Sequence, residues 1–192
     1  MVPFIEHWIG ALWAGFGILW ILAAVTTKRA VQVQSTGSRL LQAVVVFIGL
    51  MLIFNFDGWF VTGWLTTRLT PESAAVVLAG VVLTVAGLLF SVWARFVLGR
   101  NWSGTVTIKQ NHELIQRGPY QIVRHPIYTG ILMALLGTAF IYGITRCFVG
   151  IPIVALGFWL KLQIEEQFML QQFGAQYADY RQQVRALIPF VL

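Results

Sequence analysis

A chain of 192 residues that is 58% hydrophobic and 10% charged, with a mean hydropathy of +0.76, is not built to face water on every side, because soluble domains carry about 25% charged residues. Its net charge of +6 raises nucleic acid as a partner, but membrane topology accounts for the basic residues and leaves no single-face basic patch. One cysteine, Cys147, excludes an intrachain disulfide and a Cys-rich metal site.

Apolar segments lie at about 7–25, 40–57, 74–94, 127–143 and 147–163. Their lengths approach the roughly 20 residues a helix needs to cross the hydrocarbon core. The prediction is an all-α integral membrane protein with about five transmembrane helices. The leader MVPFIEH is acidic where a secretory leader is basic, so the first segment reads as a retained helix. Trp8, Trp13, Trp20, Trp59 and Trp64 fit an aromatic belt, and Asp57 reads as interfacial. Thr70, ahead of Pro71 and Glu72, reads as the cap of the third segment. Residues 1–94 are taken as a transmembrane scaffold (spans one to three).

The first connection carries Lys28, Arg29 and Arg39, and the second only Arg68. The third carries Arg95, Arg100, Lys109, Arg117 and Arg124, and the fourth only Arg146. The tail carries Arg181 and Arg185, with Lys161 at the membrane edge. Positive charge favours the cytoplasmic side, so the N-terminus is placed outside and the C-terminus in the cytoplasm.

Residues 95–192 form the region expected to do chemistry: a cytoplasmic connection, spans four and five, and a C-terminal helix. The connection at 95–126 is long for a small membrane protein, which marks a functional segment. It ends in RGPYQIVRHPIYTG, where Pro126 suits the first turn of a helix with Arg124 and His125 at its cap. A helix start offers N–H donors to a carboxylate or phosphate. Span five has an apolar core of only about fourteen residues. It spans only if its helix continues through KLQIEEQFMLQQF until Gly174 interrupts it. On that continuation Lys161 and Glu165 share a face, about 6 Å apart along the axis. A turn near Gly143–Arg146 makes spans four and five an antiparallel hairpin, which brings Arg124, His125 and Tyr128 within reach of Lys161, Glu165 and Glu166. The expected product is a polar pocket at the cytoplasmic interface, covered by the 95–123 connection.

The runs NHELIQRGPYQIVRHPIYTG and EEQFMLQQFGAQYADYRQQVRALIP closely resemble the isoprenylcysteine carboxyl methyltransferase family and the related membrane phospholipid methyltransferases. The matching features are Gly-x-Tyr, Arg-His-Pro-x-Tyr, a Glu-Glu pair, Phe-Gly-x-x-Tyr-x-x-Tyr and a late proline, across about residues 95–190. The resemblance implies an S-adenosylmethionine-dependent methyltransferase that releases S-adenosylhomocysteine and contains no Rossmann domain. Carried over by position, the cofactor-binding residues would be His112, Glu113, Leu114, Ile115, Tyr120, His125, Pro126, Ile127, Tyr128, Glu165 and Glu166. Arg124 and Lys161 would be catalytic, with Lys161 also binding substrate. The implied acceptor is lipophilic, a carboxylate of the S-isoprenylcysteine kind by preference, in a membrane setting without nucleic acid or metal. The family places an arginine four residues before the first Glu. Lysine at 161 keeps the charge but loses the bidentate fork, so it could hold a carboxylate or serve as base for an amine, thiol or hydroxyl. A phospholipid amine or small thiol as acceptor, a membrane reductase, and an inactive accessory protein stay open on the residues alone.

Overall fold

The computed structural model describes residues 2–24, 30–54, 62–102, 107–109 and 113–189. Among these the helices are α1 (Val2–Ala24), α2 (Thr36–Phe54), α3 (Ala74–Leu98), α4 (Pro126–Tyr142), α5 (Thr145–Phe173) and α6 (Ala175–Gln183). Asp57, Trp59 and His112 lie outside the described residues.

Among the described residues three helices are long and apolar enough to cross a membrane: Thr36–Phe54, Ala74–Asn101 and Thr145–Phe173. The segments Trp8–Ala24 and Pro126–Tyr142 are apolar but shorter. α4 has 17 residues, which is about 25 Å of helix, less than the roughly 30 Å of a hydrocarbon core. Large apolar side chains such as Leu41, Phe47, Leu78, Val82, Leu89 and Phe96 point outward, as lipid-facing positions do.

The helices associate as two antiparallel pairs. α4 packs chiefly on α3 and α5 chiefly on α2, so the hairpin partners α4 and α5 each find their main neighbour in the first half of the chain. Small residues set the α3–α4 seam. A Cβ on Gly137 would stand 2.5 Å from the Gly80 carbonyl oxygen and the Thr84 nitrogen, and Gly87 faces Gly130 in the same way one register further along. Backbones come this close only where no side chain intervenes. Hydroxyls complete the seam: Thr84 donates to the Ala134 carbonyl at 3.3 Å and Ser91 to the Ile127 carbonyl at 3.0 Å. Along the α2–α5 seam, Gln42 donates to the Leu160 carbonyl at 3.5 Å. At its far end Arg146 donates to the carbonyls of Leu52 and Ile53 at 2.6 and 3.0 Å.

The α4–α5 turn works because Gly143 adopts φ 68°, left-handed backbone that other residues rarely enter. α5 runs unbroken past its apolar half to Phe173, and Gly174 turns the chain into α6, as the sequence predicts. Two details differ from expectation. The cap of α3 is Ser73, whose hydroxyl accepts from the Val76 N–H at 3.3 Å, not Thr70; Ser73 directly precedes the first helical residue, where a cap must stand. The all-α architecture also carries two short antiparallel strands, β1 (Ala30–Val33) and β2 (Thr107–Lys109). They tie the first connection to the third.

Gly137→Val should force the α3–α4 seam apart and cost about 1–3 kcal/mol, whereas Gly15→Val, with nothing within 4 Å, should change stability by less than about 0.5 kcal/mol. Thermal unfolding in detergent, followed by circular dichroism, distinguishes the two; equal effects would mean the seam is not tight.

Candidate functional site

The site begins where the 95–126 connection turns into α4. Gly118 has φ 60° and opens a short 3-10 turn over Gly118–Gln121. That turn buries Tyr120, whose hydroxyl donates to the Ala94 carbonyl at 3.4 Å. The Tyr180 hydroxyl of α6 donates to the Tyr120 carbonyl at 2.5 Å. Burial raises the pKa of both Tyr120 and Tyr180 above the usual phenol value, so each remains a neutral donor.

Next the chain crosses under its own C-terminal segment. The N–H groups of Arg124 and His125 donate to the carbonyls of Arg185 and Ala186 at 2.8 and 2.9 Å. The Thr129 hydroxyl donates to the Leu187 carbonyl at 2.7 Å. The helix start therefore offers a ligand fewer donors than its sequence suggests. Arg124 and His125 are already satisfied, Pro126 has no N–H, and the N–H groups of Ile127 and Tyr128 remain as the first-turn donors.

The charged side chains converge as the hairpin predicts. Arg124 donates to Glu166 Oε1 through Nε at 2.9 Å and Nη2 at 2.5 Å, and also to the carbonyls of Arg181 and Val184. Arg181 Nε lies 3.2 Å from Glu166 Oε2. His125 stands between the carboxylates, with Nδ1 3.3 Å from Glu165 and Nε2 3.3 Å from Glu166. Both ring nitrogens face acceptors, which is the arrangement of an imidazolium. Burial alone would lower the pKa of His125, but hydrogen bonds to Glu165 and Glu166 outweigh it and hold the value above normal. Tyr128 donates to Glu165 Oε1 at 2.7 Å. Its ring stacks between His125 and Phe158, at centroid distances of 5.6 and 4.8 Å, and Lys161 Nζ lies 5.5 Å from its centroid.

Arg124, His125, Tyr128, Phe158, Lys161 and Glu165 of this group line a cavity of about 430 Å³, within the roughly 300–1,000 Å³ of pockets that hold small molecules. Of the residues named from sequence, Glu113, Leu114, Ile115, Tyr120, Arg124, His125, Pro126, Ile127, Tyr128, Lys161 and Glu165 all line it. Glu166 does not: it sits behind the wall, 5% exposed, with Arg124, His125 and Arg181 around it. Arg124 reaches the cavity, but its guanidinium is spent on Glu166 and two carbonyls. The lining residues that sequence reasoning missed are Trp20 from α1, Leu98, Asn101 and Trp102 at the end of α3, Ile131 from α4, and Phe158, Met169, Tyr177 and Tyr180 from α5 and α6. Apolar and aromatic residues on helices read as packing, and no sequence signal separates these from lipid-facing ones. Arg181 reads in the sequence only as a topology charge.

A family model for phospholipid methyltransferases matches residues 75–176, just over half of the chain. The chain belongs to this family. Its matched region takes in α3, the connection, α4 and α5, which supply most of the cavity wall. Among curated relatives, protein-S-isoprenylcysteine O-methyltransferase B of Arabidopsis thaliana is 30% identical over 115 residues, 58% of each chain. The Tribolium castaneum protein-S-isoprenylcysteine O-methyltransferase is 33% identical over 118 residues, 58% of this chain and 41% of that one. The chain thus spans about three fifths or less of the relatives it matches. The solved structure of a eukaryotic intramembrane Ras methyltransferase, ICMT, superposes with a TM-score of 0.53 at 24% identity, over 83% of this chain and 55% of that one. At that identity the likeness concerns the fold, a membrane helical bundle.

Arg124→Met should cost about 3–5 kcal/mol, because it leaves Glu166 buried with one partner fewer. The double change Arg124→Met, Glu166→Leu should recover most of that loss. Additive losses in thermal unfolding would show that the two side chains do not act as a pair.

Proposed function

We propose that this chain is an integral-membrane methyltransferase that uses S-adenosylmethionine and methylates a lipophilic acceptor, by preference a carboxylate of the S-isoprenylcysteine kind. The observation that carries the reading is a cavity lined by a carboxylate, an imidazole and a tyrosine (Glu165, His125 and Tyr128) together with aromatic side chains such as Trp20, Trp102 and Phe158. Relatives named as isoprenylcysteine O-methyltransferases support it. In this reading residues 95–192 are the catalytic region on a scaffold of residues 1–94, with about five membrane crossings. The N-terminus lies outside, and the site and C-terminus are cytoplasmic.

When bound, S-adenosylmethionine supplies an electrophilic methyl group on a sulfonium. The residues present fit such a guest: a charged end suits its amino-acid part and an apolar end its base. Glu165, oriented by Tyr128 and His125, takes an ammonium or hydroxyl donor. The first-turn N–H groups of Ile127 and Tyr128 suit a carboxylate. Glu113 to Ile115 and Tyr120 close the cavity from the connection side. Arg124, Glu166 and Arg181 hold His125 and the C-terminal segment in place. Their role is positioning.

Lys161 lines this cavity and a second groove of about 510 Å³ between α2 and α5. Its ammonium would hold an acceptor carboxylate that enters the cavity from the groove. Apolar walls favour a reaction between opposite charges that yields neutral products, so a carboxylate acceptor needs no base. A second reading follows from lysine in place of the family's arginine: a neutral Lys161 would deprotonate a phospholipid amine or a thiol.

Calorimetric titration of the detergent-solubilised protein with S-adenosylhomocysteine should show binding that Glu165→Ala weakens roughly 10- to 100-fold, the value of lost hydrogen bonds to a charged group. An unchanged affinity would take Glu165 out of the site. In an assay with labelled methyl donor and a prenylcysteine acid, Lys161→Arg should keep or raise the rate. A fall of more than about a hundredfold would favour lysine as a base.

A further inference from the structure

One buried cation takes no part in the cluster described above. Arg95, on the last turns of α3, is 4% exposed. Among the described residues no carboxylate lies within ion-pair distance of it, and its Nε has no hydrogen-bond partner. Its remaining donors go to backbone: Nη1 to the Gly99 carbonyl at 2.8 Å, and Nη2 to the carbonyl of Ala23 at the end of α1. The guanidinium lies over the indole of Trp102, 4.5 Å from the ring centroid. Trp102 in turn meets Trp20 of α1 edge to face, with centroids 5.6 Å apart.

For packing alone this is an unfavourable choice. A buried guanidinium without a carboxylate carries a desolvation cost that leucine or methionine would avoid. What the cation gains is geometry. A planar fork can reach two carbonyls on different helices while its face rests on an indole, which neither an apolar chain nor a lysine can reproduce. The carbonyl end of a helix, here that of α1, is also where positive charge is most favourable. Both indoles held this way line the cavity.

We propose that Arg95 is a positioning residue for the uncharged end of the cavity: it fastens Trp102 and the Trp20 end of α1 into an aromatic wall against which a planar nucleobase lies. The inference rests on the cofactor reading above and adds an orientation, with the amino-acid part toward Glu165 and the base toward Trp20 and Trp102. Trp20 contributes only while the α1 end is fastened, so Arg95 and Trp20 act as one unit.

The test is titration of the full-length protein in detergent with two ligands. One is S-adenosylhomocysteine; the other is 5′-methylthioadenosine, which keeps the nucleoside and thioether but lacks the amino-acid part. Arg95→Met should weaken both by the same factor, about tenfold, within the range of a partly to fully desolvated cation–π contact. Arg95→Lys, which keeps the charge, should weaken both by less. Trp20→Ala in the Arg95→Met background should add less than about twofold, since coupled residues are not additive. A merely structural role for Arg95 would lower the unfolding temperature and leave the two affinities of the folded fraction unchanged, which overturns the proposal. Loss of S-adenosylhomocysteine affinity alone, or multiplying effects of the Arg95 and Trp20 changes, also overturns it. Should Arg95→Met not fold, Arg95→Lys and Trp20→Ala carry the same two-ligand comparison. A wild-type chain that binds neither ligand removes the cofactor reading and the inference together. A wild type that binds both while the variants match it removes the inference alone.

Discussion

Glu166 is a carboxylate 5% exposed within an apolar bundle, and burying such a charge costs several kcal/mol unless it is paired and hydrogen-bonded. It has three partners from two parts of the chain: the adjacent Arg124 and His125 at the start of α4, and Arg181 on α6. Much of the site's arrangement depends on meeting that demand. The pairing holds α6 against α5, brings the C-terminal segment over Arg124 and His125, and presents the second ring nitrogen of His125 to Glu165. Glu165 then faces the cavity with its orientation set by His125 and Tyr128. Two adjacent carboxylates thus play different parts, one structural and one open to a ligand, because successive residues on a helix point in different directions.

The helical seams supply the rigidity this cluster needs. Lipid offers helices no hydrophobic reason to associate, so close backbone packing and interhelical hydrogen bonds must do it. The glycines at 80, 87, 130 and 137 let α3 and α4 touch along their length. Ser91 then donates across that seam to Ile127, one turn inside the site. Pairing α5 with α2 places Lys161 where two cavities meet. The bundle therefore fixes both ends of the proposed reaction, with lipid-facing leucines and phenylalanines around it.

Much of the polar half of the site was legible in the sequence. Pro126 starts α4 and Gly174 ends α5, because a missing N–H and a left-handed backbone are local constraints that do not depend on neighbours. The hairpin then requires Arg124, His125 and Tyr128 to approach Lys161, Glu165 and Glu166, and they do. The separation of Glu166 from the cavity, the use of two helix-start N–H groups by the C-terminal segment, and the short β1–β2 ladder were not legible. Each depends on contacts between residues distant in sequence, such as Arg124 with Arg185 and Ala30 with Lys109.

The sequence by itself determined a membrane-embedded helical chain, the positions of its breaks and the residue types at the charged end of the site, since composition, proline, glycine and 3.6-residue spacing act locally. Only the tertiary structure decided which tryptophans wall the cavity and which face lipid, and that Arg95 holds them. An indole in a lipid-facing belt and one in a binding wall have the same local signature, and they differ only in what the fold brings against them.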